Sequence, residues 1–170
     1  MVKGAPLHIR WMIRRDMPEV MKINNEAQKH PYTEEQFVQA MRARDTIGLV
    51  AEAPGGDIVA YMLYKLSKKR LNLVTLAVDP ELKGLGIGTA MIDKLIDKLT
   101  VQRRSAIDCF VPESNLEMLN FLKKNYFVAI DLIPGRFNYT RDDAIRMEFV
   151  HEDCEQTVWD DPILQLFNPE

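Results

Sequence analysis

Residues 71–100 read LNLVTLAVDPELKGLGIGTAMIDKLIDKLT. Leu71 to Val78 has the composition of a β-strand. Lys83-Gly84-Leu85-Gly86-Ile87-Gly88 then places glycine at every second position, where the backbone is free to take φ > 0 or to approach a ligand closely. From Ile87 onward Met91, Leu95, Ile96 and Leu99 share one helical face, opposite Asp93, Lys94, Asp97 and Lys98. The stretch therefore predicts strand, glycine loop, amphipathic helix. The first N–H groups of such a helix lack intrahelical partners and lie at the positive end of its dipole. The expectation is an anion cradle suited to a phosphate or pyrophosphate.

Upstream, His8 to Ile13 predicts a first strand. Asp16 with Glu19 three residues on, and Thr33 with Gln36, each have the spacing of a capping box. The first helix presents Met17, Val20, Met21 and Asn24 on one face, the second Phe37, Val38 and Met41. His30-Pro31-Tyr32 separates them. Strands follow at Thr46 to Ala53, Ile58 to Leu66 and Leu71 to Val78, joined by the turns Pro54-Gly55-Gly56-Asp57 and Ser67-Lys68-Lys69-Arg70. With no helix between them they form an antiparallel meander.

Downstream, Ala106 to Val111 is a strand reached by a right-handed crossover and therefore parallel to its predecessor. Ser114 or Asn115 caps a further helix with Leu116, Leu119 and Leu122 inward. Tyr126 to Leu132 and Ala144 to Val150 close the sheet. The predicted fold is α/β: a mixed, mostly antiparallel seven-stranded sheet with about four helices, in the order β-α-α-β-β-β-α-β-α-β-β. One domain is expected over residues 1–151, followed by an acidic tail, 152–170. Its Trp159, Ile163, Leu164, Leu166 and Phe167 predict docking on the domain or on a partner, which leaves a homodimer open.

The chain has 170 residues, 46% hydrophobic and 28% charged, with a net charge of −3. Nothing in that balance suggests a nucleic-acid surface. No apolar run is long enough to span a bilayer, and MVKGAPLHIR has no signal-peptide core. Cys109 and Cys154 are the two cysteines, with no CxxC and no clustered histidine, so neither a disulfide framework nor a metal site is expected. A cytoplasmic location follows.

A dinucleotide-binding fingerprint would place the glycines after the first strand, with an acidic residue about 20 positions on. Here they follow the fourth strand. The P-loop Lys-Ser/Thr pair is missing too, since Gly88 is followed by Thr89-Ala90.

Val78-Asp79-Pro80-Glu81-Leu82-Lys83-Gly84-Leu85-Gly86-Ile87-Gly88-Thr89 resembles the acetyl-CoA signature Arg/Gln-x-x-Gly-x-Gly/Ala of the GNAT superfamily of N-acetyltransferases, with Lys83 where Arg or Gln is usual. The element order over residues 8–150 is similar as well. Pro31-Tyr32-Thr33-Glu34, Ser114-Asn115 and Tyr139-Thr140-Arg141-Asp142-Asp143-Ala144-Ile145-Arg146-Met147 resemble motifs of a narrower group, the ribosomal-protein and other N-terminal α-amine acetyltransferases. The resemblance implies acetyl-CoA as co-substrate. It implies that the backbone of Lys83, Gly84, Leu85, Gly86, Ile87, Gly88 and Thr89 holds its pyrophosphate, that Leu76, Ala77 and Val78 pair with pantetheine and hold the thioester carbonyl near Ala77-Val78, and that Asn115 contacts pantetheine or nearby atoms.

Two expected catalytic side chains depart from the group's pattern. The glutamate base lies five residues before the Asn, where this chain has Phe110, and the tyrosine acid lies seven residues after it, where this chain has Leu122. The candidates for their roles are Tyr126, Tyr139 and Asp108, with Glu113, Glu52 and Tyr64 as further possibilities. An α-amine, pKa about 7.7–8.0, costs roughly 1 kcal/mol to deprotonate at pH 7, and a lysine, pKa about 10.4, roughly 4.6 kcal/mol. A site without its glutamate is less handicapped with an α-amine. The resemblance thus implies acetyl transfer to an amine, most favourably a protein or peptide N-terminus. The alternatives are a small-molecule amine acceptor and an acyl-CoA-binding pseudoenzyme.

Overall fold

A computed structural model describes residues 6–137 and 141–151. The strands are β1 (His8–Trp11), β2 (Thr46–Glu52), β3 (Ile58–Leu66), β4 (Arg70–Val78), β5 (Ala106–Pro112), β6 (Val128–Ile133) and β7 (Ala144–Val150). The helices are α1 (Met17–Ala27), α2 (Glu34–Arg42), α3 (Ile87–Val101) and α4 (Leu116–Lys124). One sheet runs in the order β1-β2-β3-β4-β5-β7-β6. Only β4 and β5 are parallel, as a helical crossover requires. The seven-stranded, mostly antiparallel architecture expected from the sequence is the one observed.

Each face of the sheet has its own core. On one, Leu71 and Leu73 of β4 and Ile107, Cys109 and Val111 of β5 pack with Ile87, Met91, Ile92, Leu95 and Leu99 of α3 and Leu122 of α4. On the other, Val50, Tyr61, Leu63 and Ala77 pack with Val20 and Ile23 of α1 and Phe37 of α2. The ring of Phe37 meets Tyr61 edge-on, centroids 5.5 Å apart. The helices α1 and α2 cover β2 to β4 only, which leaves the same face of β5 and β7 without a helix among the described residues.

Several local expectations are corrected. Asp16 does not cap α1. Its carboxylate receives Arg10 through two bonds, 2.8 and 2.9 Å, and the Ile13 N–H at 2.8 Å. That Arg10 contact holds the carboxyl below its usual range. Glu19 instead accepts from Ile58 N at 2.8 Å. The Thr33–Gln36 capping box is present, with bonds of 3.0 and 3.2 Å. Leu116 is 66% exposed, because it opens α4 at the rim of the sheet.

Tyr126 is neither a strand residue nor a core residue. Helix α4 ends at Lys124, and Tyr126 takes φ +68 with 82% exposure. Tyr126 N bonds to Lys123 O at 3.2 Å and Phe127 N to Leu122 O at 3.0 Å. This is a Schellman cap with tyrosine at the left-handed position that glycine usually fills. Leu122 and Phe127 supply its apolar contact inside the core.

Candidate active site

The site begins where two strands part. Pairing of β4 with β5 runs from Arg70↔Ala106 to Leu73↔Cys109 and stops, although β4 continues to Val78 and β5 to Pro112. The cause is a bulge. Opposite β3, Leu63 pairs with Thr75 and Tyr64 with Leu73, so Val74 is the extra residue. A bulge bends its strand and sharpens the twist. It also exchanges faces. Leu71 and Leu73 join the α3 core, whereas beyond Val74 it is Leu76 and Val78 that pack there and Ala77 that turns to α1.

The backbone lining this opening follows from the ladder. Asp79 N bonds to Val59 O at 2.9 Å, and antiparallel pairs alternate between bonded and non-bonded. Ala77 and Thr75 are therefore spent on Tyr61 and Leu63. The N–H and C=O groups of Leu76 and Val78 turn toward the side that β5 has left. Of the three residues named from the sequence, Ala77 is the one whose backbone is engaged in the β3–β4 ladder.

At the C-terminal end of β4 stands the glycine loop. Gly84 and Gly86 have φ of +77 and +82, and a Cβ on either would meet nothing within 4 Å. Their backbone conformation is one side chains resist, beside open space. Gly86 is the N-cap of α3, whose first helical bond is Ala90 N to Gly86 O at 3.0 Å. The N–H groups of Ile87, Gly88 and Thr89 precede that bond and have no carbonyl within the helix. Gly88 differs from the other two. Its φ is not positive, and a Cβ there would lie 3.0 Å from Phe121 of α4. The third glycine lets α3 and α4 approach and lends the first turn only its N–H, while the positive-φ turns are made by Gly84 and Gly86.

Helix α4 brings its N-terminus to the same region. Asn115 Oδ1 caps it, accepting from Met118 N at 3.1 Å, which leaves the amide Nδ2 for another acceptor. Lys83 is ion-paired across the gap with Glu117 of α4 at 2.7 Å, so its charge is already shared. Ser114 donates to Asp142, and Glu113 N to Asp143 O at 3.0 Å. Two stretches far apart in sequence are thereby tied together. Glu113 itself is exposed.

On the face away from α3, Asp108 and Phe110 point the same way, because Ile107, Cys109 and Val111 point into the α3 core. Asp108 lies beside the last β4–β5 pairs and Phe110 one step beyond them. Asp108 accepts from Arg70 at 2.8 Å and from Arg146 at 3.3 Å, and Glu148 accepts from Arg70 and lies 3.5 Å from Arg146. Asp108 is thus one member of a four-residue ion-pair network. The Arg136 guanidinium lies over the Phe110 ring, 3.7 Å from its centroid. Where the related enzymes are expected to carry a glutamate, this chain presents an aromatic ring covered by a cation.

The opposite flank is the turn between α1 and α2. Gln28 Nε2 donates to Thr75 Oγ1 at 3.1 Å and to Leu76 O at 3.4 Å. Asn24, fully buried, holds the turn through Tyr32 O at 2.9 Å and Tyr32 N at 3.2 Å, and accepts from Tyr61 Oη at 3.1 Å. Burial raises the Tyr61 phenol above its usual pKa. The opening is thus bounded by Gln28 on the β4 side and Arg136 on the β5 side. A charged concavity along the outer face of α2, lined by Glu34, Glu35, Val38, Gln39 and Arg42, belongs to the helix covering β2 and lies apart from this opening.

The remaining candidates are placed elsewhere. Glu52 pairs with Arg10 at 2.7 Å on the β1 side. Tyr64 is buried in the α3 core with its hydroxyl unbonded. Leu122 is a core residue. Tyr126 caps the C-terminal end of α4, opposite to Asn115 at its N-terminus. Tyr139 and the tail 152–170 lie outside the described residues. Sequence reasoning missed Gln28, Asn24, Arg136, Arg70, Arg146 and Glu148. Of these, Arg146 and Glu148 could have been found, because the Asp108↔Glu148 and Phe110↔Arg146 pairing follows once β5 and β7 are set antiparallel.

Among the described residues no three His, Cys, Asp or Glu side chains converge to hold a metal ion, and no helix is long and apolar enough to cross a membrane. The positive-φ glycines beside open space, the partnerless N–H groups and the exposed edge of β4 fit an extended ligand with a phosphate-bearing end.

The model of the acetyltransferase (GNAT) family matches residues 9–126. Over 87 residues the chain is 33% identical to an uncharacterized N-acetyltransferase of Methanocaldococcus jannaschii, covering 51% of this chain and 55% of that protein. The chain thus spans about half the length of that curated relative. The ribosomal-protein-S18-alanine N-acetyltransferase of Escherichia coli superimposes with a TM-score of 0.75 at 21% identity, over 85% of this chain and 94% of that one. Ard1 from Thermoplasma volcanium gives 0.75 at 21%, over 85% and 97%. The spermidine/spermine N-acetyltransferase of Vibrio cholerae gives 0.68 at 18%, over 85% and 92%. At these identities the structural likeness speaks to the fold.

Proposed function

The chain belongs to the acetyltransferase (GNAT) family, and we propose that it transfers an acetyl group from acetyl-CoA to the N-terminal α-amine of a protein or peptide. The observation that carries the choice of acceptor is the lining of the opening on the α1 side. Phe110 and Arg136 stand there, and both neighbouring carboxylates, Asp108 and Glu148, are occupied by Arg70 and Arg146. Among the described residues that lining offers no free base to strip a proton from a lysine or polyamine.

Acetyl-CoA, when bound, supplies the acetyl group as a thioester and leaves as the thiol. The N–H groups of Ile87, Gly88 and Thr89, with the loop of Lys83 to Gly86, would hold its pyrophosphate. The free edge of β4 at Leu76 and Val78 would pair with pantetheine, Asn115 Nδ2 would donate to one of its carbonyls, and the Val78 N–H would donate to the acyl oxygen. Gln28 keeps the Leu76 carbonyl oriented. The amine reaches the opening from the α1 side. Its proton departs through water, an undemanding step for a group with pKa about 7.7–8.0.

Release of CoA thiol is to be followed with a panel of N-terminal peptides, spermidine and aminoglycosides. Turnover of peptides is expected. Turnover confined to the small amines would replace this acceptor, and tight CoA binding with no turnover at all would make the protein a binder.

A further inference from the structure

Arg136 carries a charge that the fold does not use. Among the described residues it forms no ion pair, and its guanidinium lies over the face of Phe110. The neighbouring arginines are taken: Arg70 and Arg146 by Asp108 and Glu148. The nearby acids are engaged or point to the backbone. Asp143 accepts from Gly135 N at 3.2 Å, Asp142 from Ser114, and Asp131 from Leu132 N at 2.8 Å.

The Arg136 guanidinium is also held in place. The Asp143 bond fixes the residue before it, and stacking fixes its plane. A guanidinium that stacks through its face keeps its in-plane N–H edges for a ligand, and those edges match a carboxylate in bidentate fashion. The ring beneath it stands where the resemblance places the base that faces the acceptor amine. On the proposed function, the cation therefore borders the acceptor.

We propose that Arg136 reads a carboxylate on the acceptor, the side chain of an Asp or Glu in the first two residues of the peptide. The proposal rests on the reading of a peptide α-amine as acceptor and names its class. The same cation disfavours polyamines, whose further ammonium groups it repels. A bidentate pair to an exposed guanidinium changes affinity by about twofold to fivefold.

The test compares kcat/KM for matched peptides carrying Glu, Gln or Lys at the second position, with spermidine alongside, for the wild type and for Arg136→Gln and Arg136→Glu. Arg136 is exposed, and a circular dichroism melt verifies that each variant is folded. The wild type is expected to favour Glu over Gln by about twofold to fivefold, mostly through KM. Arg136→Gln is expected to bring that ratio near one, and Arg136→Glu to favour Lys. Equal use of Glu and Gln peptides by the wild type would overturn the proposal while leaving the peptide-amine reading intact. So would a Glu preference that survives in Arg136→Gln. Turnover of spermidine with no peptide used would overturn both.

Discussion

Leu73 and Cys109 form the last pair of the parallel β4–β5 ladder, and the Cys109 thiol closes the α3 side of the point where the strands part. Burial first, and the neighbouring Asp108 charge second, push that thiol up to about 12. A thiolate is the reactive form, so Cys109 is expected to be inert. In a Cys154→Ser background, a disulfide reagent at pH 8 should leave the native protein unlabelled over a time that fully labels the denatured chain. Rapid native labelling would mean that the ladder opens at this pair.

The glycines of the loop are expected to separate by function. Gly86→Glu puts a side chain and a negative charge into the open side of the cradle and should abolish CoA binding by calorimetry while the fold persists. Gly88→Ala pushes a methyl group against Phe121. It should destabilise by about 1–3 kcal/mol as an overpacked contact, visible as a lower Tm. A Gly86→Glu protein that binds CoA normally would remove the cradle from the site.

Tyr126 holds a left-handed conformation with its ring in solvent. That strain is worth about 1–2 kcal/mol, offset in part by the roughly 0.5–1 kcal/mol of extra freedom glycine has when unfolded. Tyr126→Gly should therefore raise stability modestly in urea titration. The same variant settles whether the tyrosine is catalytic, since a cap residue predicts unaltered kcat and a proton donor a large loss.

Asp16 gives a pH signature of the fold itself. Its folded pKa is depressed, through Arg10 first and the Ile13 N–H as well. Its contribution is therefore present above the unfolded value, about 3.9, and is lost as pH falls through the lower folded value. Asp16→Asn should cost about 1–3 kcal/mol at pH 7. The difference from wild type should shrink progressively below about pH 4. A constant difference down to acid pH would show that the Arg10 pairing contributes nothing.

The sheet order, the glycine loop and α3 were legible because period-two strands, turn glycines and one apolar helix stripe agree with one another. The bulge at Val74 was not. Burial along β4 falls on odd-numbered residues from Leu71 to Ala77, so the alternation reads as one unbroken strand although its inward face changes midway. That single extra residue makes the opening. Tyr126 was misread for a related reason: Phe127 and Val128 after it have strand composition, and the cap is a backbone feature normally announced by glycine. The absence of a glutamate at Phe110 was visible, but its replacement by a stacked Arg136 depends on a loop whose path no local pattern encodes. Asp108 was legible as a carboxylate on a strand, whereas its arginine partners come from β4 and β7.

With both carboxylates beside Phe110 ion-paired among the described residues, the pH profile should belong to the substrate. The rate is expected to rise with the free-amine fraction and level near the acceptor's own pKa, shifting when the peptide amine is changed. Asp108→Asn should leave that profile in place. A fixed inflection independent of the acceptor, abolished in Asp108→Asn, would instead identify Asp108 as the base.

The most direct measurement is fragment mass spectrometry of a peptide with a free N-terminus and an internal lysine, after incubation with the enzyme and acetyl-CoA. The expected product carries one acetyl group, on the N-terminal nitrogen. An acetyl group on the lysine side chain, or an unmodified peptide in a sample where spermidine is acetylated, would contradict the proposed acceptor.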